Sequence, residues 1–417
     1  MKTSQTIAAT QTIAATLKPS LARFAGRGFQ LLLAVLALGL FVSQSAHATT
    51  YYSPTSGTAV DPTSTNNWWT GTGGTGSHPA NFTSGDTFVI QNNCTNQVPD
   101  TTTWTVNGTA NGTATVQINS GGCLRLGAPS GTSGTLQLSG NFVKNGNLLS
   151  TTGYNSGGNI FFNSTSGTSF TWTGSGDISG DKINVTVNAG VMLDASGMTN
   201  GFKFNAGTTT GIAVNGTLKM GTNTINGNNT SSTKGYFTLG ASGTLITAHT
   251  NGLGAITVAT ATGTFYNFNT LAKVTLPTTA NYQFNGASAQ ITGTNLPATV
   301  NNLTIYNAAG VTLSQSTTVS GTFSLGTNAT MGTLTVTNTL TQAATGKVLL
   351  RLNKTAGTLT NDLIKGTGSV TYGGTLTVTN ITSDTNQLAL GDSVQLFNVS
   401  SRSGTFATVN LPSLSAG

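Results

Sequence analysis

SGTFSLGTNATMGTLTVTNTLTQ, residues 320–342, holds no charge, no proline and no cysteine. Phe323, Leu325, Leu334, Val336 and Leu340 alternate there with threonine, serine and asparagine. A period of two is the mark of a strand with one buried face. The alternation predicts Phe323 and Leu325 inside and Thr322 and Ser324 outside. Glycine and asparagine interrupt the pattern every few residues, so the segment reads as short strands joined by tight turns.

The same local pattern recurs along the chain. Gly-Thr-Leu or Gly-Thr-Phe appears with its glycine at 134, 216, 243, 263, 321, 332, 357, 374 and 404. A longer echo links INVTVNAGVML (183–193) to LTIYNAAGVTL (303–313), with Gly190 and Gly310 in equivalent places. Imperfect repeats of roughly 20–30 residues are the signature of a solenoid. Each coil cannot bury its own apolar face, but stacked coils enclose a continuous core. The expected fold is therefore all-β: a right-handed parallel β-helix over 104–355, with an N-terminal cap at 49–103 and a C-terminal β module at 356–417. Tandem antiparallel β-sandwiches are the alternative.

Composition narrows function by exclusion. Only 6% of residues are charged, and all nine acids are aspartate. Ordinary soluble domains carry about 25% charged residues. The formal charge of +7 falls to +3 once Lys2, Lys18, Arg23 and Arg27 are set aside as part of a removable leader. The remaining basic residues are scattered singly, without the clustered patch that phosphate neutralisation needs, so no nucleic-acid partner is expected.

That leader reads as a signal peptide spanning 1–48. Arg23 and Arg27 precede the apolar run LLLAVLALGLFV (31–42), and Ala46-His47-Ala48 supplies a small-x-small cleavage site. Twelve apolar residues fall short of the ~20 a spanning helix needs, so no membrane-spanning segment is expected in the mature chain. Export places the protein outside the cell or on its surface, in an oxidising compartment. There Cys94 and Cys123 are expected to form a disulfide.

The C-terminal run GGTLTVTN…LALGDSVQLFNVSSRSGTFATVNLPSLSAG (373–417) resembles the terminal module of bacterial passenger-type proteins with autotransporter-associated β-strand repeats. Gly391-Asp392, Leu396-Phe397, the triplet 404–406 and Leu411-Pro412 carry that resemblance. The opening TYYSPTSG…NNWWT…PANFTSGDTFVIQNN and the run LPATVNNLTIYNAAGVTL (296–313) resemble repeat-rich secreted surface proteins of Bacteroidota-like and related bacteria. The resemblance implies a secreted, adhesin-like, pectin-lyase-like β-helix and brings no catalytic residues. Family members continue past the equivalent of LPSLSAG, so the last module reads as truncated.

Enzymatic β-helices cut polysaccharides, usually with paired carboxylates. No acid occurs between Asp194 and Asp362, and residues 274–346 lack every ionisable Asp, Glu, Lys, Arg and His. No catalytic residue is therefore assigned, although a polysaccharide-degrading enzyme is retained as an alternative. Asp177, Asp181 and Asp194 are the candidates for a calcium or glycan contact, against a solvated inter-coil loop as the plainer reading. No other cofactor is implied.

Trp68 and Trp69, with Tyr51, read chiefly as cap residues and alternatively as a sugar-stacking platform. His78 and His249 have no nearby carboxylate to hold them as bases. GTGGTG (71–76) follows no strand–helix junction, so it is not read as a phosphate loop. The function expected is an adhesin-like or structural protein contacting glycans or cells. A further alternative is an ice-binding solenoid, suggested by TLTVTNTLT (333–341) and TLTVTN (375–380). That requires Thr-x-Thr pairs in phase on successive coils, and their spacing along the sequence is uneven.

Overall fold

The computed structural model describes residues 48–413, apart from 56–59, 84, 92–95, 109–112, 129–131, 151–156, 165–166, 180–181, 205–209, 229–234 and 383–387. From Ala48 onward the chain forms one compact unit. Among the described residues it is all-β, with sheets of 24, 8 and 3 strands and two short 3-10 turns at Thr65–Asn67 and Leu271–Lys273. No described helix is long and apolar enough to cross a membrane.

The ladders are parallel with one exception. Thr217 pairs with Thr244, Thr244 with Asn281, and Asn281 with Asn302. On another sheet Thr299, Thr318, Thr341, Thr371 and Ser403 follow one another in register. Partners lie roughly 20–40 residues apart, the period range of stacked repeats. The exception is the hairpin of Lys347–Thr355 with Thr358–Asn361. Its turn residues Ala356 and Gly357 have φ of 49° and 80°, both positive as a tight two-residue hairpin demands. Parallel pairing rules out the antiparallel sandwiches.

Burial follows the period of two. In Thr135–Lys144 every second residue is buried, and Ile183–Val187 and Asn302–Ile305 behave alike. Leucine, valine, isoleucine and phenylalanine face a continuous core, while threonine and asparagine face water. Large aromatic rings stack along that core. Trp172 meets Phe142, Phe202 and Phe162 at ring distances of 4.7, 5.2 and 6.0 Å.

The Gly-Thr-Leu/Phe triplets mark strand starts. Their glycines immediately precede Thr135, Thr217, Thr244, Thr322, Thr333, Thr358 and Thr375, each the first residue of a strand. The triplets at Gly263 and Gly404 differ: the strand Phe265–Tyr266 begins after Thr264, and Gly404 closes Phe397–Gly404. At Gly216 a Cβ would sit 2.3 Å from the Val191 carbonyl oxygen, so the neighbouring backbone fills the space a side chain would need. Gly190 and Gly310, equivalent in the longer echo, both have positive φ, at 80° and 94°.

Ser324 departs from the expected alternation. It is 5% exposed, not outward, and its hydroxyl accepts a hydrogen bond from Arg351 Nη1 at 3.3 Å. A partly buried arginine on the next strand thus pairs with a hydroxyl turned to the interior.

Parallel ladders begin before residue 104. Thr87–Ile90 pairs with Ala114–Ile118, and Asn96–Val98 with Cys123–Leu126. The first strand, Thr50–Tyr52, uses both of its edges. One side pairs with Thr87–Ile90, and Tyr52 exchanges two backbone hydrogen bonds with Trp69 on the other, at 2.7 and 3.0 Å. Closing an edge strand in this way removes a pairing template. At the other end, Lys347, Thr375 and Thr408 lie in register, so the segment after 356 continues the same ladders. Phe397 and Phe406 both pack on Tyr372, at 5.0 and 4.8 Å, and Asp392 pairs with Lys354 at 2.9 Å.

Candidate functional site

The two described acids of the candidate calcium site do not share a site. Asp194 is in register with Thr171, six positions before Asp177 on the same strand, Thr168–Asp177. Each is held by a lysine on a neighbouring strand. Asp194 receives Lys219 Nζ at 2.7 Å and the Ser196 amide at 3.0 Å. Asp177 lies 3.6 Å from Lys203 and accepts the Ser179 amide at 2.8 Å. Partial burial works to raise both pKa values. The hydrogen bonds and lysine charges outweigh it, so both carboxyls stay below the usual carboxylate range. Asp181 falls outside the described residues. Among the described residues no group of three or more His, Cys, Asp or Glu side chains converges as a metal centre.

The remaining described aspartates also serve the fold. Asp61, Asp86 and Asp100 accept backbone amides from Thr63, Thr49 and Ala128 at 2.8, 2.8 and 2.6 Å. Asp362, fully buried, accepts the amides of Gly332 and Arg351, both at 2.7 Å.

The paired-tryptophan platform is corrected by the structure. Trp68 is fully buried, stacks on Trp104 at 5.3 Å and donates its indole N–H to the Pro62 carbonyl at 3.0 Å. Alternation along the backbone sends neighbouring side chains to opposite sides, so Trp68 and Trp69 cannot share a face. Trp69 is half-exposed and packs on His78 at 5.2 Å. His78 Nδ1 donates to the Trp68 carbonyl at 2.8 Å. His249 sits half-buried in a turn, where desolvation lowers its pKa. The glycine-rich 71–76 stretch is an exposed tight turn closed by a Gly71–Thr75 bridge. Cys94 lies outside the described residues, and so does the expected disulfide. Cys123 is buried at the start of Cys123–Leu126.

Two surface features emerge that composition alone does not locate. One is an open groove of about 390 Å³ crossing four successive strand–turn units, lined by Thr168, Met192, Asn215, Thr217 and Ser242 among others. No charged side chain lines it.

The other is an array of hydroxyls on the eight-stranded sheet. Thr339 and Thr341, Ser369 and Thr371, and Ser401 and Ser403 stand on three successive strands in matching register, and Thr318 continues the second column on a fourth. Thr299 extends one column by a fifth strand. Thr339 and Ser369 share a hydrogen bond of 2.9 Å, and Thr371 and Ser403 one of 3.0 Å. The only sequence signal for the array was the hydroxyl-x-hydroxyl motif itself. Thr375 and Thr377, which carry the same motif, go to another sheet, beside Lys347 and Leu349.

No protein-family model, curated protein or solved structure matches the chain.

Proposed function

We propose that the chain is a right-handed parallel β-helix, exported after removal of residues 1–48 and capped by residues 49–103. It acts as an adhesin-like rod without catalysis, and its ligands are extracellular glycans or glycan-coated cells. This follows the resemblance to autotransporter-associated repeat proteins. The Cys94–Cys123 bridge belongs to the same reading.

Parallel ladders between segments about one repeat apart support the helical winding. Half-exposed outer faces beneath a single apolar core support it too, because ordinary parallel sheets are buried on both sides. The hydrogen-bonded roles of the described aspartates fit a binding protein.

The observation that carries the ligand class is the neutral groove through Thr168, Asn215, Thr217 and Ser242. Its hydroxyl and amide groups offer donors and acceptors to sugar hydroxyls, and Met192 offers an apolar floor. Groups repeated on successive strands suit a polymer, since many weak contacts on a rigid frame add up.

A glycan array probed with the full chain, with and without Ca²⁺, tests the proposal. The expected result is Ca²⁺-independent binding to one class of neutral polysaccharide, abolished by Thr217→Arg. A blank array, or binding that Thr217→Arg leaves intact, overturns it.

A further inference from the structure

We propose that the hydroxyl array on the eight-stranded sheet is an ice-binding face. The inference rests on the parallel winding proposed above but not on glycan binding in the groove. It starts from the in-phase condition set by the sequence. Thr318 and the hydroxyl pairs 339/341, 369/371 and 401/403 are separated by unequal intervals. The turns between strands absorb the difference, and the pairs arrive in register regardless.

The geometry of such an array is set by the sheet. Neighbouring strands are about 4.8 Å apart, and residues two positions apart along a strand are separated by about 6.7 Å. Two columns of hydroxyls over three strands, one of them continued by Thr318 and Thr299, therefore form a nearly rectangular grid. Hydrogen bonds between Thr339 and Ser369, and between Thr371 and Ser403, fix several hydroxyls in place. Thr318, Thr341 and Thr371 are half-exposed, and Ser401 and Ser403 are exposed. Arg402 interacts with Tyr372 and belongs to the alternate side of its strand, and Lys365 lies four residues before Ser369, beyond a break in the register of that strand.

The chemistry of the face selects its partner. No ionised group stands in the grid, so nothing there attracts an anionic or cationic ligand. Its grid positions are threonine and serine, with no aromatic platform for a ligand to stack on. A single neutral hydrogen bond to a dissolved sugar replaces one to water, with little net gain. A partner that is itself a lattice engages all positions together, and the fixed grid has already met the ordering cost. The oxygen repeats of ice faces are close to the grid's two spacings. Threonine methyls beside the hydroxyls hold water in an ordered arrangement, so the face presents ice-like water to a growing crystal.

The test measures partition of the full chain into a slowly grown ice hemisphere, together with the shape of single ice crystals. Thr341→Tyr places a bulky ring in the middle of the grid. Thr377→Tyr adds the same ring on the other sheet and serves as control. Enrichment in ice and faceted crystals for the native chain and Thr377→Tyr, with both lost in Thr341→Tyr, supports the proposal. Exclusion of the native chain from ice overturns it. Full activity in a folded Thr341→Tyr variant overturns it as well. If Thr341→Tyr fails to fold, Thr371→Val decides: weakened partition supports the face, and unchanged partition and crystal shape overturn it. Binding to microcrystalline cellulose or chitin that Thr341→Tyr abolishes, without ice enrichment, overturns the ice assignment and gives the face to a polysaccharide. The groove variant Thr217→Arg should leave ice partition unchanged, so failure of the glycan proposal and failure of this one are separable.

Discussion

Arg351 and Asp362 meet three times: the Arg351 amide donates to Asp362 Oδ2 at 2.7 Å, the guanidinium lies 3.9 Å from the same oxygen, and the Asp362 amide donates to the Arg351 carbonyl at 2.8 Å. The other carboxylate oxygen accepts the Gly332 amide at 2.7 Å. Arg351 also donates to Ser324 and to the Leu325 carbonyl. One buried acid thus ties together the strand Lys347–Thr355, the segment beside Leu363 and the turn before Thr333.

This centre should make stability depend on pH. Desolvation pushes the Asp362 carboxyl up to about 6, against the pull of two backbone amides and Arg351. The folded chain therefore holds its proton across a range where the unfolded carboxyl has lost it. Stability should fall as pH rises from about 4 to 6, by on the order of 3 kcal/mol, and level off above. Asp177 and Asp194 act oppositely. Their depressed pKa values give stability that is present above the ordinary carboxylate range and lost as pH falls through it. Urea unfolding at steps from pH 3 to 8 should show a maximum near the low end of the range. Asp362→Asn should flatten the fall between 4 and 6. It should also cost roughly 1–3 kcal/mol, because an amide nitrogen would face a backbone donor. An unchanged slope in that variant would assign the fall to other groups.

Trp172 offers a test of the core. It is fully buried among Phe142, Phe162 and Phe202, so truncation opens a cavity that rigid strands cannot close. Trp172→Ala should cost roughly 3–5 kcal/mol. Trp69→Ala, at a half-exposed position, should cost much less. Equal losses in chemical denaturation would argue against the aromatic stack as a main source of stability.

The strand-start glycines make a third test. Gly216→Ala puts a methyl within 2.3 Å of the Val191 oxygen and 2.4 Å of the Asn188 oxygen, both backbone atoms. A loss of roughly 1–3 kcal/mol is expected, as for overpacking elsewhere. Gly73 has nothing within 4 Å of its Cβ position, so Gly73→Ala should be neutral to slightly stabilising. A thermal melt of both variants checks the contrast.

Such glycines also show why the fold was legible. A glycine placed just before seven of the strands leaves a countable mark, as does a period of two in Val-x-Val or Leu-x-Leu. Register is not marked in that way. Thr339 meets Ser369 because turns of different length bring them level, and turn length alone does not reveal which strands become neighbours. For the same reason Asp177 and Asp194 looked like neighbours in the chain, yet each is satisfied by a lysine one strand away. Trp68 and Trp69 were legible only as a pair, and the strand geometry split them between core and surface. Ser324 was misread because its partner, Arg351, lies on the next strand.

Lys144 closes the strand Thr135–Lys144 on its buried side, following Leu136, Leu138 and Phe142 in the inward alternation. It is 6% exposed and forms no ion pair among the described residues. Desolvation lowers its pKa, and the field of Asp177 only partly compensates. A lysine in this condition is less charged in the folded chain than in the unfolded one. Its cost is therefore felt wherever the unfolded amine is protonated, and it fades as pH rises between the lowered folded value and about 10.5. Lys144→Met keeps the aliphatic stem and removes the buried charge. Replacing buried charges by hydrophobic residues of similar volume is neutral or stabilising by about 1–4 kcal/mol, so the variant should melt at or above the native temperature at pH 7. The native chain should gain on the variant as pH rises towards about 10.5. A variant that melts well below the native chain at pH 7 would show that the ammonium is held by a favourable partner, and the buried end of this strand would then have to be counted as an ionic contact.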